Sequence, residues 1–80
     1  MSTGKKVIIY STPFCVYCQT AKEFFKKHNI DYLEYDISVD TAKREEMIKK
    51  TGYMAVPVIE IENEIIMGFD KQKISQLLGI

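Results

Sequence analysis

The sequence predicts an α/β fold: a four-stranded mixed sheet with three flanking helices, in the order βαβ, α, ββ, α. Three observations predict it. Val7-Ile8-Ile9-Tyr10 is an unbroken β-branched and aromatic run, the composition of a strand buried on both faces. Beyond Pro13, Ala21, Phe24, Phe25 and His28 recur at i, i+3, i+4 and i+7, an apolar helical stripe ending in a histidine. Two further apolar runs, 58–61 and 64–67, are separated only by Glu62-Asn63, the spacing of an antiparallel hairpin.

The elements follow in order. The first strand covers Val7 to Tyr10 and stops before Pro13, and the first helix begins near Cys15. Asn29 suits a left-handed helix stop. Tyr32 to Ile37 reads as a second strand, made parallel to the first by a right-handed crossover. Ser38 or Asp40 caps a second helix that runs through Lys50 and ends at Gly52. Its apolar face is thin, with only Ala42, Met47 and Ile48, so it lies on the surface. In the hairpin, Asn63 tolerates positive φ. Asp70 caps a last helix with Ile74, Leu77 and Leu78 on its inner side. The first strand is the most uniformly apolar and is therefore central. Cys15 then stands at the carboxyl end of a sheet strand and the amino end of a helix, where open α/β sheets bind ligands.

The totals exclude several functions. Eighty residues make a single domain, 1–80, at 46% hydrophobic and 28% charged. Eleven basic and eleven acidic residues cancel, which leaves no electrostatic footprint for nucleic acid or an anionic membrane. The longest apolar runs are strand-sized, and no apolar stretch of signal-peptide length follows MSTGKK. These features point to the cytoplasm. TGKK lacks the upstream glycine of a phosphate-binding loop.

The chain's two cysteines, Cys15 and Cys18, stand three apart in STPFCVYCQTAKEFF. Structural zinc needs four nitrogen or sulfur ligands. The one histidine, His28, lies on the same helix about 15 Å beyond Cys18, too far to share an ion. A staple closing so short a loop would remove little unfolded-state entropy. A redox pair fits better, because a spacing of three across a first helical turn brings two sulfurs within bonding reach. At the helix start Cys15 meets unpaired N–H groups and the positive end of the helix dipole, so Cys15 attacks and Cys18, one turn in, resolves. Acidity alone gains little. For any thiol, a fall in pKa from about 8.5 to about 6 raises the thiolate fraction ~30-fold at pH 7, but lower nucleophilicity removes roughly 13- to 18-fold of that. Rate must come from positioning the substrate, so a groove is expected.

TGYMAVPVIEI, residues 51–61, supplies the candidate groove. Pro57 lacks an N–H and can leave an edge open, so that Val56 offers its backbone to an extended peptide. From the base rate of X-Pro bonds, the Val56–Pro57 peptide is expected to be trans. Phe14, just before the first cysteine, either shields the sulfur and touches substrate or packs in its loop.

Nearly the whole chain resembles a glutaredoxin of the thioredoxin superfamily. The stretches YSTPFCVYC, AKREEMIKKTG, VPVIEI and GFD match in order and distance. The resemblance implies a thioredoxin-like fold and a dithiol oxidoreductase that acts, as a monomer, on glutathione mixed disulfides and protein disulfides. Glutathione would be a co-substrate, with no tightly bound cofactor. It also implies a cis Pro57 facing Cys15, with Val56 pairing to the glutathione backbone and Tyr17 flanking the tripeptide. Arg44 would hold the glycine carboxylate, and Gly68, Phe69 and Asp70 would receive the γ-glutamyl end. The chain departs from the family pattern in four places. Thr12 stands where many members carry Lys, and Ala55 where Thr usually precedes Val-Pro. The Gly-Gly turn is Met67-Gly68, and the acid after Asp70 is Lys71. Lys5 or Lys6 is the nearest substitute for the missing lysine. Two alternatives remain open: a redoxin reduced by a thioredoxin-reductase-type flavoprotein, which Pro13 and the GF pair resemble, and a glutathione-ligated iron–sulfur binding module.

Overall fold

A computed structural model describes residues 6–80. Strand β1 is Val7–Ser11, helix α1 Val16–Lys27, strand β2 Leu33–Asp36, helix α2 Thr41–Thr51, strands β3 and β4 Val58–Ile61 and Glu64–Met67, and helix α3 Lys71–Leu78. The sheet order is β2-β1-β3-β4. β1 runs parallel to β2 and antiparallel to β3, and β3 pairs antiparallel with β4. This is the α/β thioredoxin fold, with β1 in the interior as its composition predicts. Its five residues are all buried.

Alternation along β1 builds a core on each side of the sheet. Val7 and Ile9 join Ala21, Phe24 and Phe25 of α1, Ile59, Ile61 and Ile66 of the hairpin, and Ile74 and Leu78 of α3. Ile8 and Tyr10 join Ile37, Met47 of α2 and Val58 on the other side. The first core is continuous and apolar. The second is small, because α2 buries only Met47. Ala42, expected on its apolar face, is exposed. α2 is tied to the sheet by polar groups instead. Lys50 Nζ lies 2.8 Å from Glu60 Oε1 on β3, 3.3 Å from Glu46 Oε1 and 3.3 Å from the Tyr10 hydroxyl. That hydroxyl donates to Glu46 Oε1 at 3.2 Å. Glu60, foremost, holds Lys50 more firmly protonated than a free lysine, and burial pushes the Tyr10 phenol upward.

The predicted punctuation is present with small shifts. β1 extends one residue further, to Ser11, and β2 is shorter at both ends than predicted. Asn29 has φ 56. Asp40, not Ser38, caps α2, accepting the Lys43 N–H at 3.1 Å. Gly52 closes α2 at φ 79, a conformation that a side chain would strain. In the hairpin both Glu62 (φ 50) and Asn63 (φ 87) are left-handed, where only Asn63 was expected to be. A two-residue turn with both central φ values positive matches the twist of its strands, and that requirement overrides the preference of glutamate. His28 ends α1 as an exposed C-cap, its ring 4.5 Å from Phe24.

Since Met47 is the one buried apolar anchor of α2, Met47→Ala should cost about 2–5 kcal/mol in urea unfolding. Ala42→Ser should change stability by less than about 0.5 kcal/mol. A Met47→Ala loss under about 1 kcal/mol would mean that the Lys50 network alone seats the helix.

Candidate active site

The topology gathers one set of loops at one edge of the sheet. β1, β2 and β4 end there and β3 begins there. The edge therefore carries Thr12 to Tyr17, Ser38 and Val39, Tyr53 to Pro57, and Met67 to Asp70. With Tyr10 opposite Val58 in the ladder, Pro57 and Val56 stand alongside Ser11 and Thr12, which lead into Cys15.

Cys15 is the N-cap of α1, in extended conformation with φ −98 and ψ 113. Its Sγ accepts the Cys18 N–H at 3.2 Å. No acidic side chain occupies the first turn of α1, so the positive end of that helix faces a sulfur. Thr12 shapes the approach, its carbonyl accepting the Cys15 N–H at 3.3 Å. Both cysteines are free thiols, and their settings differ. Cys15 is half-buried and Cys18 is 0% exposed. Burial, foremost, pushes the Cys18 thiol from 9.0 up to about 12. Its hydrogen bond with Cys15 acts in the same direction, while the Thr12 backbone and the Lys22 charge oppose it.

The Val56–Pro57 peptide is cis. The trans expectation drawn from base rates is corrected, and the cis expectation drawn from family resemblance agrees with the structure. Base rates carry no information about the tertiary surroundings of one proline. Pro57 is buried and its carbonyl accepts the Gly68 N–H at 2.8 Å, which ties the proline loop to the turn after β4. Gly68 has φ 82, open to glycine without strain. Val56 is half-buried against the smaller core, and Ala55 is exposed.

The other predicted site residues occupy the same edge in different ways. Phe14 is 89% exposed, which decides against simple loop packing, and Tyr17 is 67% exposed. Arg44 is half-buried in the first turn of α2. The ring of Phe69 turns inward to 5.7 Å from Phe24, leaving its backbone at the edge. Asp70 caps α3, accepting the Lys73 N–H at 3.2 Å. Lys6 precedes β1, at the opposite end of that strand from Cys15 and about 16 Å away along it. It does not replace the missing lysine, and Lys5 lies outside the described residues.

Two features went unread in the sequence. Val16, Val39, Tyr53, Met54 and Met67 are exposed and share the edge with Phe14 and Tyr17, forming an apolar collar. Among the described residues only Leu33 and Ile80 are large exposed hydrophobics elsewhere. Lys22, one turn beyond Cys18, pairs with Glu34 of β2 at 2.8 Å, and Glu34 Oε2 also accepts the buried Ser11 hydroxyl at 2.9 Å. The i,i+4 spacing of Cys18 and Lys22 was the available signal. Among the described residues no helix is long and apolar enough to cross a membrane, and no cluster of His, Cys, Asp and Glu could hold a metal ion.

Comparison with known proteins gives concordant results. The sequence model of the Glutaredoxin family matches residues 7–66. A glutaredoxin-like 8.6 kDa protein in the rubredoxin operon of Clostridium pasteurianum is 43% identical over 70 residues, 88% of this chain and 93% of the relative. Glutaredoxin 3 of Escherichia coli K12 is 41% identical over 64 residues, 80% of this chain and 77% of the relative. The crystal structure of the thioredoxin-like protein BC3987 superposes with a TM-score of 0.84 at 33% identity, covering 90% of this chain and 99% of that one.

The raised Cys18 thiol fixes a pH dependence. Above pH ~9 the unfolded chain loses this proton and the folded chain keeps it, so stability falls as pH rises from about 9 toward 12. In urea titrations of the reduced protein, Cys18→Ala should flatten that decline by up to about 1.4 kcal/mol per pH unit. Parallel slopes in the two proteins would show that burial does not hold the proton on Cys18.

Proposed function

The chain belongs to the glutaredoxin family, whose chemistry is thiol–disulfide exchange, and we propose that it is a dithiol glutaredoxin that uses glutathione. The observation that carries this reading is the asymmetry of the pair. An accessible sulfur sits at a helix N-terminus and receives a backbone N–H, and a buried thiol sits one turn behind it.

In this mechanism the Cys15 thiolate attacks a glutathionylated protein. The protein–glutathione S–S bond breaks, a Cys15–glutathione S–S bond forms, and the protein thiolate departs and takes a proton. A second glutathione thiolate then attacks the glutathione sulfur of that mixed disulfide. It leaves oxidised glutathione and restores the Cys15 thiolate. With a protein disulfide, Cys18 attacks the Cys15 mixed disulfide and its proton passes to the leaving thiol. The product is the Cys15–Cys18 disulfide, which two glutathione molecules reduce.

The reading assigns glutathione to the edge beside Cys15. Val56 pairs its backbone with the tripeptide next to Pro57, and Arg44 holds the glycine carboxylate. Gly68, the Phe69 backbone and the N-terminus of α3 at Asp70 receive the γ-glutamyl carboxylate. Thr12, Phe14, Tyr17 and Ala55 line the remainder. Common placement at one edge supports these assignments. The reading keeps glutathione as a co-substrate, the chain monomeric, and the reaction in the cytoplasm.

A second reading keeps the chemistry and changes the donor to a flavoprotein reductase. Thr12 favours it, since Lys6 does not supply the cation that many family members carry there, and an apolar collar suits a protein partner.

One assay separates the two: turnover of a glutathionylated peptide with glutathione as the sole electron donor. Wild type and Cys18→Ser should both turn over, and Cys15→Ser should lose activity at least 1000-fold. No turnover in a folded wild type would favour the reductase-driven reading. Arg44→Ala should raise the glutathione KM roughly tenfold, the worth of one charge-assisted contact, with the unfolding midpoint unchanged. An unchanged KM would remove Arg44 from the site.

A further inference from the structure

We propose that Lys22, clamped by Glu34 and Ser11, is a positioning residue that supplies the positive charge against which the buried Cys18 ionises when it resolves a mixed disulfide. The inference rests on the reading of Cys15 as attacking and Cys18 as resolving sulfur.

The geometry is a short polar string beneath α1. Ser11 occupies the same face of β1 as Val7 and Ile9, the face that α1 covers. Its buried hydroxyl donates to Glu34 Oε2 on β2 at 2.9 Å. The same oxygen receives Lys22 Nζ at 2.8 Å. Lys22 follows Cys18 by four residues, so their Cβ atoms lie on one helix face about 6 Å apart. A free lysine would extend into solvent. Here Glu34 holds it along the flank of the helix, only 22% exposed.

The groups that act on Cys18 are Cys15 and Lys22 from α1 and the Thr12 backbone from the end of β1, while Ser11 and Glu34 bear on it through Lys22. Tyr32 and Asp36 flank Glu34 on its own segment. Within this set Lys22 is the cation. Its charge lowers the Cys18 thiol against the burial that raises it, and Glu34, foremost, keeps Lys22 protonated.

The magnitude follows from screening. A unit charge about 6 Å away moves a thiol's titration by roughly half a unit under water-like screening and by about two units under protein-like screening. A less acidic thiol is also more nucleophilic, with a slope of ~0.4–0.5, which returns part of the loss. Without the charge, resolution should therefore be roughly two- to fifteenfold slower. The step itself is balanced: Cys18–SH and Cys15–S–S–R give the Cys15–Cys18 disulfide and R–SH.

The test uses Ellman's reagent on the reduced protein in a stopped-flow instrument at pH 7. A first phase, proportional to reagent concentration, reports thionitrobenzoate leaving as Cys15 is loaded. A second phase, independent of reagent concentration, reports thionitrobenzoate expelled from Cys15 by Cys18. Lys22→Gln and Lys22→Met should slow the second phase two- to fifteenfold, with the deficit shrinking at 1 M salt. Lys22→Arg should stay within twofold of wild type. An unchanged second phase in Lys22→Gln overturns the inference. Equal slowing by Lys22→Arg does so as well, because the role would then be packing rather than charge. If wild type itself shows no second phase, the resolving role of Cys18 fails, an outcome distinct from either.

Discussion

A helix must give its first-turn N–H groups to some acceptor, and in α1 one acceptor is a sulfur. The Cys18 N–H points at Cys15 Sγ, so the two cysteines are coupled through the backbone before any bond joins them. The same turn that caps the helix with Cys15 rotates Cys18 inward onto the sheet, where it is completely buried. One local geometry thus puts identical side chains in opposite settings. The settings differ in solvent access, since a thiol surrounded by apolar groups resists ionisation while one at a helix N-terminus meets donors.

This arrangement depends on β1 lying inside the sheet. A strand buried on both faces is held by neighbours on each side, so the chain leaving it toward Cys15 starts from a fixed point. The two sides are built differently. α1 and α3 cover one face with a continuous apolar core, while α2 reaches the other through one methionine and a set of ion pairs centred on Lys50. Helix α2 carries Arg44, and the proline loop follows it. The part of the molecule assigned to glutathione is thus the part whose seating depends most on polar contacts, which weaken as salt or pH changes.

The edge around Cys15 combines two kinds of surface. Backbone groups at Val56 and at the start of α3 suit a peptide with a free carboxylate. Phe14, Tyr17, Tyr53, Met54 and Met67 surround them with apolar area that has no folded-state partner.

Periodicity made most of the fold legible in advance. Strand β1, the stripe of α1, the hairpin and the caps at Asp40, Gly52 and Asp70 each follow from a local rule acting over a few residues. The placement of the cysteine pair was legible for the same reason, because it depends on a spacing of three at one helix start. What failed were positions where distant groups decide. Pro57 was expected trans from its own dipeptide and is cis, in a loop tied through its carbonyl to Gly68 after β4. Ala42 was assigned inward by its side chain, although α2 faces the sheet with charges. Lys6 looked like a substitute cation until β1 placed it at the far end of the strand. Lys22, Glu34 and Ser11 went unread because they lie on three separate elements. By itself the sequence determined the elements, their order and the placing of the two cysteines, because these are set within a turn or a strand. Only the tertiary structure decided which charges face the buried thiol and which apolar side chains share an edge, because strand order and register alone bring such residues together.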